Sequence, residues 1–564
     1  MQTRDEQLAR LRAAECPQVL IIGGGINGVG TYRDLAAQGQ PALLVEAGDF
    51  ASGTSSAPSR LIHGGLRYLE TGEAALVRES LTERNLLLKN ARHVVHPLPV
   101  WVPLDSWFRG SFMAVLRFLH LTRTPGPKGG VPVKLGLMLY DRFGTAHQTM
   151  PNHRMYTAAT ARRQVASLAP DLRAVAEYYD ARITHPERLV TELVADAERD
   201  CPQAMAIPYL AAGKLADGGV TLSDRLSGES FVVRPKVVVN ASGAWVDGVQ
   251  KDLGFADRMI GGTRGSHLVV RNAGLAGDLD GRMLYFETND HRACLIYPLE
   301  GDHLLLGTTD LRSDDADDKF CTDAEVDYLF HELEQVLPGI HLTRQDIVFA
   351  YAGVRPLPLS KPGATGAISR DHKLVHYPPT PERPFPLVTL IGGKWTTYRV
   401  CGEQIADAVL GHLGAERRRG TQDLPIGGAA GFPFAPADRQ AFCTDLARQS
   451  GLPLDRCKVL AARYGSRATD IAAAEAADPG MIEGVAGYSC AEIKLLCRID
   501  RVTKLQDIVL RRTLMCFEGA VTARGLAALA SLAAPLLHWD AQRETEELAE
   551  TQELLQHRHR MTIN

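Results

Sequence analysis

One stretch near the start constrains this chain more than any other. Residues 19–25 read VLIIGGG, four apolar residues running into three glycines, the pattern of a parallel strand buried on both faces. The following INGVGTYRDLAAQG has helical spacing at Ile26, Val29 and Leu35 and stops at Gly39, a helix C-cap. PALLVEAGD predicts a second buried strand ending at Glu46. Strand, glycine turn, helix and strand within about 30 residues make a βαβ unit. Inside it, Gly23-Gly24-Gly25-Ile26-Asn27-Gly28 satisfies G-x-G-x-x-G. Gly23 permits the tight turn, Gly25 lets a pyrophosphate approach the backbone, and Gly28 lets helix and strand pack closely. The N–H groups at the helix start, from Ile26 and Asn27, then bind the anion. Glu46, 18 residues after Gly28, is placed to accept hydrogen bonds from ribose hydroxyls. The motif alone does not separate FAD from NAD.

A chain of 564 residues is too long for one core, and about 150 residues per domain gives three or four units. Hydrophobic residues at 45% and charged residues at 23% fit a globular protein and exclude global disorder. The formal charge of −4 gives no global attraction to polyanions, so no nucleic-acid partner is expected. The ten cysteines contain no C-x-x-C, which argues against a structural zinc or a redox dithiol. They read as buried thiols of a reducing compartment. The first residues, MQTRDEQLARLRAAEC, lack the apolar core of a secretory signal, and the apolar run Gly525–Leu537 is too short to span a bilayer. A cytoplasmic location follows as the expectation.

Leucine and charge spacing predicts a long helix from Leu66 to about Arg92. VTLSDRLSGESFVVRPKVVVNASG predicts a hairpin feeding a buried strand that ends at Ser242-Gly243. The runs HLVVR, CLIYPLE and HLLLGTTD predict a mostly antiparallel sheet across 267–310. PLVTLIGGKWTTYRVCGEQIADAVLGHL is again strand, glycine turn and helix. Beyond the Gly/Pro/Ala-rich stretch 420–436 the spacing is helical to the end. Two glycine-ended strands besides the first favour FAD over NAD. Val237–Gly243 suits closing over a dinucleotide, and the helix after Gly392-Gly393 has the N-terminus that a reduced flavin needs near N1 and O2.

Several motifs together resemble one family. They are Thr54–Glu70 (TSSAPSRLIHGGLRYLE), Gly265-Ser266-His267, Gly307-Thr308-Thr309-Asp310, Gly353-Val354-Arg355-Pro356 and Gly392–Arg399 (GGKWTTYR). In this order they are similar to the FAD-dependent glycerol-3-phosphate dehydrogenases. Arg511-Arg512-Thr513 after a helical run looks like that family's helical cap. Where the family often carries Lys, this chain has Arg60, which keeps the charge and changes the hydrogen-bond geometry. The resemblance implies oxidation of sn-glycerol 3-phosphate to dihydroxyacetone phosphate, with electrons passing through FAD to a quinone. A flavin oxidase producing peroxide, on this or an amino or hydroxy acid substrate, is the alternative enzyme, and a flavin-binding sensor the alternative outside catalysis.

The implied fold is α/β, with a doubly wound FAD-binding domain (17–95, 150–262 and 350–415). An antiparallel-sheet substrate-binding and membrane-facing domain (96–149 and 263–349) and a C-terminal helical domain (425–564) complete it. His267 is the first candidate for the base that takes the hydroxyl proton and His63 the second, since histidine titrates near neutral pH. Arg355 stabilises the developing alkoxide or binds substrate. Arg67, Tyr68, Arg355 and Lys394 are the candidate phosphate and substrate ligands. For FAD the candidates are Gly23, Gly25, Ile26, Asn27, Gly28, Glu46, Thr54, Ser55, Ser56, Gly64, Gly65, Ser242, Gly243, Gly393, Lys394, Thr396 and Thr397. No metal site is expected, and His93 and His96 read as satisfied surface histidines. No G-x-S-x-G supports a serine hydrolase. From Ser106 to Tyr140 no acidic residue occurs, while Arg109, Arg117, Arg123, Lys128 and Lys134 alternate with Trp107, Phe108, Phe112, Met113, Leu116, Phe118 and Leu119. Such a segment fits the inner membrane surface, where a quinone resides, and makes the protein peripheral to the cytoplasmic face. The implied partners are the phosphoester, the quinone and, as one option, a second copy of the chain.

Overall fold

The computed structural model describes residues 2–66, 73–107, 130–144, 150–288, 292–360 and 371–563. The strand Val19–Ile22 lies in a six-stranded sheet, parallel between Ala42–Val45 and Val237–Asn240. Leu387–Ile391 and Met205–Ile207 extend it in parallel, and Lys373–Tyr377 closes one edge antiparallel. Alternate side chains leave a strand on opposite faces. Val19 and Ile21 therefore join a core with the helices Ile26–Ala37, Pro186–Asp200 and Tyr398–Leu413. Leu20 and Ile22 join another with a three-stranded meander, Leu210–Ala216, Gly219–Asp224 and Ser230–Val233. The expected hairpin is two strands of that meander, and it feeds Val237–Asn240 as expected. Helices Ile26–Ala37 and Tyr398–Leu413 touch backbone to backbone, since a Cβ on Gly402 would lie 2.6 Å from the Gly30 carbonyl carbon.

The second sheet has ten strands. Its centre pairs Val95–Leu104 antiparallel with Ala174–Ile183 over their whole length. Thr263–Arg271 lies antiparallel between His303–Gly307 and Ile347–Arg355. The antiparallel expectation for 267–310 is met, with Met283-Leu284 against Val100-Trp101 as a parallel pairing. Strands at 154–157, 174–183 and 347–355 belong to this sheet, so the segments expected to bind the dinucleotide contribute to both sheets. Pro97, Pro99 and Pro103 hide the strand Val95–Leu104 from the sequence. They share one parity, so their three missing donors fall along one edge of the strand.

From Pro436 onward the elements are helical, ending in Ala541–His559. Their core is continuous with one face of the ten-stranded sheet, joining Leu460, Ile493 and Leu529 to Tyr178, Phe349 and Tyr351. The C-terminal helix comes back to that sheet, where the His559 ring stacks on Phe349 with centroids 4.5 Å apart. Its Nδ1–H donates to the Ala350 carbonyl at 2.9 Å.

Two expectations change. The long helix begins at Ala74 rather than Leu66 and runs to Asn90, with Glu73 in a non-helical conformation at its N-cap. His93 is a buried group, not a surface one: its Nε2 lies 2.9 Å from Glu192 Oε2, both side chains fully enclosed. His96 is partly buried, and burial, then Arg182, pushes its pKa down to about 4. Of the basic aromatic segment, residues 108–129 lie outside the described residues.

Gly402→Ala tests the helix contact. Helix propensity gains about 0.8–1.0 kcal/mol, but overpacking a methyl against backbone costs about 1–3 kcal/mol. A lower urea midpoint is expected, and an unchanged or higher one would refute the close approach. His559 gives a pH-dependent signature. Burial, then Arg558, pushes its pKa down to about 3, whereas the unfolded group protonates near 6.5. The unfolded chain therefore binds the extra proton, and stability falls as pH drops through 6.5. The stability advantage of the natural chain over His559→Gln should shrink by about 1–2 kcal/mol between pH 7 and pH 5, read from urea titrations at both pH values.

Candidate active site

The glycine turn builds a cradle. Gly23 sits at φ +113°, and a Cβ there would meet the Ala241 carbonyl oxygen at 2.6 Å. A Cβ on Gly28 would lie 2.0 Å from the Gly23 carbonyl oxygen, so strand and helix meet as closely as backbones can. Gly25 starts the helix Ile26–Ala37 with no capping side chain and no acid in the first turn, which leaves the positive helix end to an anion. Ile26 N–H donates to Ser55 Oγ at 2.9 Å, so, against expectation, that N–H is committed to the protein. The Glu46 carboxylate accepts from Gly24 N–H at 2.7 Å and Gly48 N–H at 2.8 Å. Burial raises its pKa against those two hydrogen bonds. Each oxygen keeps a second lone pair for a hydroxyl donor. Ser242 Oγ–H donates to Asn240 Oδ1 at 2.6 Å, and Gly243, at φ +61°, borders open space. Asn27 Oδ1 is buried with no hydrogen-bond partner among the described residues. A positive helix end, a ribose acceptor, an orphaned amide oxygen and open space beside Gly243 fit a dinucleotide such as FAD.

The other predicted cofactor residues converge on this cradle. Thr54, Ser55 and Ser56 form a short 3-10 turn. Thr54 Oγ1–H donates to the Val354 carbonyl at 2.7 Å, tying the turn to the second sheet. Trp395 Nε1–H donates to the Ser55 carbonyl at 3.1 Å, tying it to the third glycine turn. There Gly392 and Gly393 take φ +77° and +98°, and a Cβ on Gly393 would lie 2.7 Å from the Asn27 amide nitrogen. Lys394 follows with its Nζ shielded from solvent, and Thr396 and Thr397 are buried at the start of the helix Tyr398–Leu413.

On the sheet side, His267 is 1% exposed in the middle of Thr263–Arg271. Its Nε2 lies 2.8 Å from Ser59 Oγ, and its ring stacks on Tyr351 with centroids 4.9 Å apart. Its Nδ1 has no hydrogen-bond partner among the described residues. Burial, then the cations Arg355 and Arg60, push its pKa down to about 3, so the ring is neutral at physiological pH. Arg355 ends the adjacent strand and donates to Asp310 Oδ1 at 3.0 Å and Thr308 Oγ1 at 3.1 Å. The Arg355 guanidinium lies over Gly265, where a Cβ would fall 2.1 Å from its terminal nitrogen, so a side chain at 265 would displace Arg355 from this position. His63 is half-buried at the end of its strand. Gly64 N–H donates to Tyr140 Oη and to Asp180 Oδ1, both at 3.0 Å, so that N–H is committed to the protein. Arg67 and Tyr68 lie outside the described residues.

Four residues without an expected role, Ser59, Tyr351, Tyr297 and Glu325, hold this group together. Ser59 orients His267, and Tyr351 Oη–H and Tyr297 Oη–H fix its loop through the carbonyls of Pro58 at 2.8 Å and Ser59 at 3.2 Å. Glu325 accepts from Ser266 Oγ at 2.8 Å, Thr309 Oγ1 at 2.7 Å and Arg264 at 2.8 Å. Burial would raise its pKa, but hydrogen bonds from the Thr322 backbone, Thr309 and Ser266 hold it below the usual range. Thr322-x-x-Glu325 is legible as a helix capping box, but the contacts to residues preceding His267 and Asp310 are long-range and carry no local signal. Among the described residues no His/Cys/Asp/Glu group is arranged to hold a metal.

Residues 18–408 match the family described as FAD dependent oxidoreductase, and residues 419–544 the C-terminal domain of alpha-glycerophosphate oxidase. A glycerol-3-phosphate dehydrogenase of Synechocystis is 36% identical over 91% of this chain and 91% of its own length. Glycerol-3-phosphate dehydrogenase 2 of Mycobacterium tuberculosis is 32% identical over 94% of this chain and 86% of its own. In fold, the chain is similar to the glycerol-3-phosphate dehydrogenase of Bacillus halodurans complexed with FAD, at a TM-score of 0.76 and 23% identity, covering 98% and 97% of the two chains. With its glycine cradle, its two sheets and its helical end all matched, this chain belongs to the FAD-dependent glycerol-3-phosphate dehydrogenase family.

Proposed function

We propose that the protein oxidises sn-glycerol 3-phosphate to dihydroxyacetone phosphate and delivers the electrons to a membrane quinone. The observation that carries this reading is a neutral His267 in the field of Arg355, which Asp310 holds at the end of the strand that the turn Thr54–Ser56 ties to the cradle. The residues that would hold FAD are the 23–28 turn, Glu46, Thr54–Ser56, Ser242-Gly243 and Gly393–Thr397. When bound, FAD supplies the hydride acceptor for the hydrogen on C2 of the alcohol.

The chain's own residues supply the rest. His267 takes the C2 hydroxyl proton at Nδ1, since Nε2 is occupied by Ser59. Its low pKa, set by burial and two cations, rises when a dianionic phosphate offsets those cations. Arg355 presents a planar fork to an oxyanion while Asp310 fixes its direction. Lys394 adds a compact charge on the cradle side, and the family resemblance adds Arg67 and Tyr68. His63 is the second candidate base. Removing a positioned general base typically costs about 10²–10⁴-fold in rate.

Membrane contact is supported by the helix Gly130–Phe143. Val131, Leu135 and Met138 stand exposed at i, i+4 and i+7, Leu135 at 57% and Met138 at 53%, with Trp107 packed against Gly130. An apolar stripe facing outward, rather than toward the core, suits a lipid interface. No helix among the described residues is long and apolar enough to cross a membrane.

Anaerobic addition of glycerol 3-phosphate should bleach the bound flavin. The reduced protein should then be reoxidised faster by a quinone analogue than by oxygen. Persistent yellow colour would refute the substrate, and stoichiometric peroxide without quinone turnover would favour the oxidase reading, for which the C-terminal match gives the precedent. His267→Ala should slow flavin reduction by about 10²-fold or more with little change in phosphate affinity. Normal stopped-flow reduction would remove His267 from the mechanism. Leu135→Glu with Met138→Glu should abolish flotation with anionic liposomes while leaving dehydrogenation of soluble substrate intact, and retained flotation would exclude this face.

A further inference from the structure

We propose that the C-terminal helical domain is a clamp on the cofactor loop: Arg511 and Arg512 hold Asp49, and through it the segment 46–56, in the conformation that binds FAD. This rests on the reading above that Glu46 and Thr54–Ser56 contact the cofactor. Asp49 is 1% exposed, three residues after Glu46. Its carboxylate accepts from Arg511 Nε at 2.5 Å and from both terminal nitrogens of Arg512 at 2.6 and 2.8 Å. The two arginines are consecutive residues of the π-helical turn Ile508–Arg512, a rare geometry often found at functional positions. The loop is gripped from a second direction too. Arg511 also donates to Asp507 at 2.5 Å, Asp507 accepts from Tyr209 Oη–H at 2.6 Å, and Tyr209 N–H donates to the Gly48 carbonyl at 2.7 Å. Between Gly48 and Ser55 the loop returns to the glycine turn through Ala51 N–H to the Gly24 carbonyl at 3.1 Å.

A buried carboxylate tolerates ionisation only while its partners stay in place. Burial would push the Asp49 pKa up, and Arg512 and Arg511 together hold it below the usual range. Without them Asp49 protonates or moves, and Glu46, whose pKa the neighbouring Asp49 already raises after burial, changes with it. Coupling of this kind is reciprocal: if domain docking strengthens FAD binding, FAD must strengthen docking by the same factor.

The test uses the full-length chain. Apoprotein of the natural sequence, Arg512→Lys and Arg512→Gln is titrated with FAD, and melting temperatures are taken with and without saturating FAD. Amide exchange across residues 505–516 is followed in parallel. A tenfold or greater rise in the FAD dissociation constant is expected for Arg512→Gln, an intermediate value for Arg512→Lys, and a smaller FAD-induced rise in Tm for both. FAD should also slow exchange across 505–516 in the natural chain. A strut that only docks the domain would lower the apoprotein Tm, leave the dissociation constant within twofold and leave that exchange indifferent to FAD, and this pattern overturns the proposal. Should Arg512→Gln fail to fold, Arg512→Lys and Asp507→Asn carry the same comparison. Glu46→Ala runs alongside. If it leaves FAD affinity intact, the loop's cofactor role fails and the clamp with it. If it weakens FAD while the Arg512 variants do not, the clamp alone is wrong.

Discussion

Three hydrogen bonds at Thr54 and Ser55 join everything this molecule needs to bring together. Ser55 Oγ receives the first N–H of the helix after the glycine turn, the Ser55 carbonyl receives the Trp395 indole N–H, and the Thr54 hydroxyl reaches the Val354 carbonyl. Each is an ordinary hydrogen bond, with a net contribution of about 1 kcal/mol. Their importance is topological. They pin the glycine cradle, the third glycine turn and the strand of the antiparallel sheet that carries Arg355 to one three-residue turn. A shift of that turn moves the cofactor and substrate sides relative to each other, and misplacements of about 1 Å in such sites can cost about 10²-fold in rate.

Electrostatics on the sheet side follow from burial. His267 is enclosed beside Arg355 and Arg60, with no carboxylate among the described residues on its ring, so its neutral form prevails. The neighbouring carboxylates are spent elsewhere: Asp310 on Arg355, Glu187 on Arg60, and Glu325 on three hydroxyls and Arg264. The result is a neutral imidazole set among cations, the electrostatic setting on which the proposed proton transfer rests.

The first βαβ unit was legible because its signal is local: an apolar run, glycines at fixed spacing and an acidic residue at the second strand's end. The antiparallel sheet and the helical end were legible for the same reason, through alternation and helical spacing. Val95–Leu104 was not, since three prolines argue against a strand and only its long-range partner Ala174–Ile183 reveals it. His267 and Arg355 carried signals as members of short glycine-flanked motifs. Ser59 and Glu325 did not, because their roles arise from contacts across 208 residues in one case and from 16 to 61 residues in the other. His93 misled for the mirror reason: its partner Glu192 lies 99 residues away, and nothing beside it in sequence announces a buried acid.

The core shared by the helical end and the antiparallel sheet has a consequence for dissecting the molecule. Phe349 and Tyr351, on the strand that carries Arg355, are buried in the same apolar cluster as the helices beyond Pro436. Truncation near residue 420 would therefore strip the covering from the back of that strand and leave a sticky apolar slab. The boundary between the two matched families is a seam in the sequence record, not a line along which the folded molecule comes apart.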